Sequence, residues 1–106
     1  MLTVSTHVDA INRLGRALAD PTRCRILLAL LDGPAYPSSV ASSLGLTRAN
    51  TSNHLSCLRG CGLVVATPEG RQMRYELADR NLARALLDLL AVVLAVDPSE
   101  HCEAEG

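Results

Sequence analysis

Cys57 and Cys61 stand four residues apart in a 106-residue chain with four cysteines. On a helix that spacing stacks both thiols on one flank. Two thiolates one turn apart can hold a single metal ion and leave it open to further donors. Cys102, beside His101 near the end of the chain, is the natural third ligand. Thiolate sulfur favours Cd(II), Pb(II), Zn(II) or a trivalent arsenic species over magnesium or manganese. The same pair can also be read as two small core residues, or as a dithiol that switches by forming a disulfide. Cys24, within Arg23-Cys24-Arg25-Ile26-Leu27, reads as a small apolar residue buried in a helix, and His54 as a structural hydrogen-bonding group.

The segment that holds the cysteine pair carries a second chemistry. Stepping 100° per residue from Arg48 sorts it into three faces. Thr51, Leu55 and Leu58 fall toward a core. Arg48, Ala49, Ser52, Asn53 and Ser56 fall on a small, hydrogen-bonding face, and Asn50, His54, Cys57 and Cys61 lie on the flank between them. Arg can reach guanine O6 and N7, Asn can pair with adenine, and Ser can serve bases or phosphates. Arg48, Asn50, Ser52 and Asn53 are therefore candidate contacts to duplex DNA. Arg71 and Arg74, further on, are candidates to follow the backbone or the adjacent minor groove.

The surrounding elements must present that helix to a groove. Val8, Ile11, Leu14 and Leu18 mark an amphipathic first helix. Asp20-Pro21 caps and opens a second that continues through Leu31 and ends at Asp32-Gly33-Pro34. A short third helix starts at Tyr36-Pro37-Ser38, with Val40, Ala41 and Leu44 as its apolar stripe, and stops at Gly45. Thr47 caps the fourth, which runs to about Cys61 before Gly62. Two short helices about a tight Gly turn outline a helix-turn-helix. Residues 63–67 and 73–77 read as strands joined by Pro68-Glu69-Gly70-Arg71, a hairpin or wing. Residues 81–96 form a last helix that is apolar on almost every side, which points to a subunit interface. The expected fold is mainly α with a small β-hairpin, a homodimeric winged helix-turn-helix. Residues 1–97 form one domain, and residues 98–106 a flexible acidic tail that carries a metal ligand.

Composition narrows the function. Trp and Phe are absent and Tyr occurs twice, so base-stacking surfaces for single strands are nearly missing. All ten basic residues are Arg, the side chain suited to two-pronged contacts with phosphate and guanine. They lie between Arg13 and Arg84 against five acids, whereas residues 85–106 hold five acids and no base. A basic body thus carries an acidic tail. No secretory signal opens the chain, and the most apolar stretch is too short to cross a bilayer and contains Arg84 and Asp88. A cytoplasmic protein is expected, in which the cysteines are reduced. No nucleophile stands with a recognisable base, so an enzyme with a small-molecule substrate is not expected.

Three runs carry a family resemblance: Leu18-Ala19-Asp20-Pro21-Thr22-Arg23-Cys24-Arg25-Ile26-Leu27, Leu46-Thr47-Arg48-Ala49-Asn50-Thr51-Ser52-Asn53-His54-Leu55 and Leu58-Arg59-Gly60-Cys61-Gly62-Leu63-Val64. Together they resemble the ArsR/SmtB family of winged-helix metal-sensing repressors, over nearly the whole chain. Residues 53–67 are similar, more narrowly, to its Cd(II)/Pb(II)-sensing members, whose cysteines match Cys57, Cys61 and Cys102. The resemblance implies a homodimer joined through the first and last helices. It further implies that the metal-free form represses at a palindromic operator, and that metal held by Cys57, Cys61 and Cys102, the last from its own tail or that of the other subunit, releases it. Two departures matter. Residues 37–41 lack the paired cysteines that other members place there, and the last helix lacks the His needed for a zinc site across the dimer. His101 could add a nitrogen, and a Cys3His set would suit tetrahedral Zn(II).

Overall fold

The computed structural model describes residues 4–95. In chain order these form α1 (Val4–Ala19), α2 (Pro21–Ala29), a 3-10 turn (Leu30–Asp32), α3 (Pro37–Leu44), α4 (Arg48–Gly60), strands β1 (Val64–Glu69) and β2 (Gln72–Leu77), and α5 (Arg80–Leu94).

Local chemistry sets most of the boundaries. The Asp20 carboxylate accepts from the backbone N–H groups of Thr22 and Arg23 at 2.9 and 3.1 Å, and Pro21 occupies the first helical position of α2. Gly45 ends α3 with φ 69°, a left-handed conformation that costs glycine little. The chain then reverses as Leu46 N–H donates to the Ala41 carbonyl at 2.9 Å. Thr47 caps α4 by accepting from Asn50 N–H at 3.0 Å.

Several boundaries differ from the sequence-based ones: β1 starts at Val64 rather than Leu63, β2 at Gln72 rather than Met73, and α5 runs to Leu94. The α-helix of α2 stops at Ala29, and residues 30–32 tighten into the 3-10 turn. Helix α5 begins at Arg80 rather than at Asn81, because Asp79 caps it by accepting from Leu82 N–H at 2.9 Å. Pro68 and Glu69 belong to β1 rather than to the turn. Glu69 pairs with Gln72, so the hairpin closes on two residues, Gly70 and Arg71. Gly70 supplies the positive φ, 63°, that a tight hairpin needs at its first loop position.

The core lies under the helix-turn-helix and hairpin. Ile26 and Leu27 of α2, Val40 of α3, Leu55 and Leu58 of α4, Val64 of β1, Tyr75 of β2 and Leu86 of α5 are buried together. Ala35 makes an isolated bridge to Tyr75, its N–H donating at 2.9 Å and its carbonyl accepting at 2.8 Å. The segment before α3 is thereby stitched to the wing. By contrast α1 and α5 leave apolar side chains in solvent: Val4, Val8 and Ile11 on one, and Leu87, Leu89, Val92, Val93 and Leu94 on the other.

Candidate functional site

Helix α4 is seated by the three residues that its periodicity assigns to the core. Thr51, Leu55 and Leu58 are each 0% exposed, and Thr51 Oγ1 donates to the Thr47 carbonyl at 2.8 Å, so its buried hydroxyl is satisfied. With that stripe fixed, the other faces follow from helical geometry. Arg48, Asn50, Ser52 and Asn53 are all exposed. Arg48 and Ser52, one turn apart, share an open groove with Ser38 of α3 and with Arg71, Gln72 and Met73 of the wing. Arg71, remote in sequence, therefore joins the recognition helix on one concave surface. Ser38 and Gln72 also line it and were not singled out by sequence reasoning. Only the docking of the hairpin against α3 puts them there.

Arg74 is placed differently. Along β2 the side chains alternate: Met73, Tyr75 and Leu77 pack against the core, leaving Gln72, Arg74 and Glu76 on the outer face. There the Arg74 guanidinium donates to Glu76 at 3.1 Å and lies 3.8 Å from Glu69. The hydrogen bond to Glu76, and then its charge, raise the Arg74 pKa. Glu69 in turn accepts from the Tyr36 hydroxyl, which raises the Tyr36 pKa. Arg71 and Arg48 have no ion-pair partner among the described residues.

Cys57 on α4 and Cys61, the cap that ends it, lie on one flank beside the groove-facing side. Both are free and half-buried, and Cys61 N–H donates to the Cys57 carbonyl at 3.0 Å, which confirms that they are one helical turn apart. The backbone closes there, with Leu63 N–H donating to the Leu58 carbonyl at 3.0 Å. Among the described residues no group of three His, Cys, Asp or Glu side chains could enclose a metal. Two thiols are thus an incomplete set for a soft ion. Cys102 and His101, named above as donors, lie outside the described residues. His54, one turn before Cys57, accepts from Arg23 Nε through Nδ1 at 3.4 Å. It thus makes a structural hydrogen bond, as expected from the sequence, and the partner lies on α2. Cys24 is half-buried on α2 rather than fully buried.

The model of the bacterial regulatory protein arsR family matches residues 20–65, from the cap of α2 into β1. The HTH-type transcriptional regulator CmtR of Mycobacterium tuberculosis is 70% identical over 105 residues, which is 99% of this chain and 89% of the relative. The chain belongs to the ArsR family. A solution structure of the cadmium metal-sensor CmtR from M. tuberculosis superposes with TM-score 0.68 at 73% identity, covering 90% of this ArsR-family chain and 99% of that one. The homodimeric winged helix-turn-helix DNA-binding domain of a possible ArsR-family regulator from Mycobacterium bovis superposes with TM-score 0.83 at 27% identity, covering 96% of each chain. This ArsR-family protein is thus a CmtR-like transcriptional regulator with a winged helix-turn-helix fold.

Proposed function

We propose that this regulator is a metal-responsive repressor. As a homodimer in the cytoplasm, it binds a palindromic operator in duplex DNA when metal-free and lets go when Cd(II) or Pb(II) is held by Cys57, Cys61 and Cys102. Zn(II) is a further ion that this donor set accepts. One observation carries the reading: the Cys57–Cys61 pair and the exposed Arg48, Ser52 and Asn53 occupy neighbouring faces of one helix, α4. The likeness to the cadmium sensor supports it.

In this reading Arg48, Asn50, Ser52 and Asn53 meet base edges and phosphates in the major groove, and Arg71 and Arg74 belong to the wing. The bound ion supplies a strong bond between sulfur atoms that are otherwise independent. Cys57 and Cys61 anchor that bond to a helix whose core stripe is rigidly packed. Cys102, among the acidic residues 98–106, is the third donor of the set. A differential affinity of about 1–3 kcal/mol between the two forms changes operator affinity by roughly 5–150-fold. The exposed apolar faces of α1 and α5 supply the dimer contact. The chain works by binding rather than by catalysing a reaction.

The test is an anaerobic Cd(II) titration of the reduced protein followed by ultraviolet absorption, repeated with Cys102→Ser and coupled to operator binding. Saturation at one ion per subunit, a weaker thiolate-to-metal band in the variant and loss of operator affinity on loading are expected. A wild-type protein with no such band would overturn the reading.

A further inference from the structure

We infer that Arg74 is a positioning residue of the wing rather than a phosphate contact, and that Tyr36, Glu69, Arg74 and Glu76 form a clamp holding the hairpin against the start of the helix-turn-helix. The inference rests on the DNA-binding reading above and says which wing arginine does what in it.

The clamp is built across three segments. Tyr36 is the residue that precedes α3, and its hydroxyl donates to Glu69 near the end of β1. Glu69 lies 3.8 Å from Arg74, which in turn donates to Glu76 at 3.1 Å two residues along β2. Register explains the geometry. Arg74 pairs with Thr67, so Glu69 and Glu76 are its diagonal and same-strand neighbours on the outer face of the hairpin. Beneath them the Ala35–Tyr75 bridge joins the same segments through the backbone.

Two carboxylates thus face one guanidinium, and the Arg74 Nε is buried, without a hydrogen-bond partner among the described residues. The stem is held in the hairpin, and the charge that a DNA phosphate would meet at Arg74 is already neutralised. Arg71, at the exposed turn and on the groove shared with Arg48 and Ser52, is the wing guanidinium left to meet phosphate. Aligning that groove requires the wing to stay docked on α3, which is what the clamp does.

Salt dependence separates the two roles, because each phosphate contact adds a slope of about 0.9 to the fall of log affinity with log salt. The probe is a short mixed-sequence fluorescent duplex titrated with metal-free protein at several salt concentrations. Arg71→Gln is expected to lower the slope by about 0.9 for each wing bound. Arg74→Gln is expected to weaken binding by a similar factor at every salt concentration while leaving the slope as in wild type. Tyr36→Phe, which removes no charge, should behave like Arg74→Gln. Arg74→Lys should restore affinity only in part, since an ammonium is a point charge at the end of a flexible stem and lacks the guanidinium's planar spread toward Glu69 and Glu76.

A slope loss in Arg74→Gln equal to that in Arg71→Gln would overturn the inference, as would wild-type affinity in Arg74→Lys. If Arg74→Gln does not fold, Tyr36→Phe decides: unchanged affinity there overturns the clamp. Wild-type protein that binds no duplex at low salt sinks the DNA reading itself, a result distinct from any of these.

Discussion

Arg23 Nε donates to His54 Nδ1 at 3.4 Å, tying α2 to the flank of α4 that carries Cys57 and Cys61. The contact makes His54 a structural partner of Arg23, and in the proposed reading the metal falls to the thiols. His54→Ala should cost about 1 kcal/mol of stability in urea unfolding, while the Cd(II) stoichiometry and thiolate absorption stay as in wild type. A weaker band would instead make His54 a ligand.

The cap of α2 should show itself in the pH dependence of stability. The backbone hydrogen bond from Arg23, opposed by some desolvation and aided by Thr22, His54 and the Arg23 charge, lowers the Asp20 pKa below its ordinary 3.8. A carboxylate with a depressed folded-state pKa contributes stability above its unfolded value and loses it as pH falls through the folded one. Asp20→Ala should therefore melt below wild type at neutral pH. The gap in Tm should hold down to about pH 3.8 and close below it. A gap that persists undiminished in strong acid would show that the carboxylate charge is not what caps α2.

The proposed dimer should depend on the apolar faces that the protomer leaves uncovered. Val92 is 65% and Ile11 67% exposed, so a charge at either costs the isolated domain little. Val92→Glu is expected to sediment as a folded monomer with native circular dichroism and weakened operator binding. A stable dimer in that variant would place the interface elsewhere.

Leu55 bears on both proposed sites through packing alone. It is fully buried on α4, and Leu55→Ala should cost about 2–5 kcal/mol, read from the urea midpoint. Operator affinity and Cd(II) affinity should fall together, since one helix carries both sets of residues. Loss of one without the other would mean that the two sites do not share α4 as a rigid unit.

The cysteines should divide sharply. Cys24 sits on α2, whereas Cys57 and Cys61 share the flank of α4. Cys24→Ser should keep the full thiolate-to-cadmium absorption and Cys57→Ser should lose much of it. Equal losses would put Cys24 in the metal site.

Much of this architecture was legible because it is set by neighbours in sequence. Asp20-Pro21, Thr47 and Gly45 cap or stop their helices through bonds spanning only a few residues, and the 100° step of α4 determined that Thr51, Leu55 and Leu58 face inward while Cys57 and Cys61 share a flank. The Asp79 cap is equally local, but the apolar run that marks α5 in the sequence begins two residues later. What only the tertiary structure decided are relations between charges and grooves across distant segments. The register of the hairpin, with Glu69 in the strand, placed Arg74 between two carboxylates. The docking of that hairpin on α3 joined Tyr36 to Glu69 and brought Arg71 to the groove of Arg48 and Ser52. Helical periodicity is a property of the backbone and can be read from spacing. Which partner a guanidinium meets depends on strand register and on packing between elements, and residue type alone carries neither.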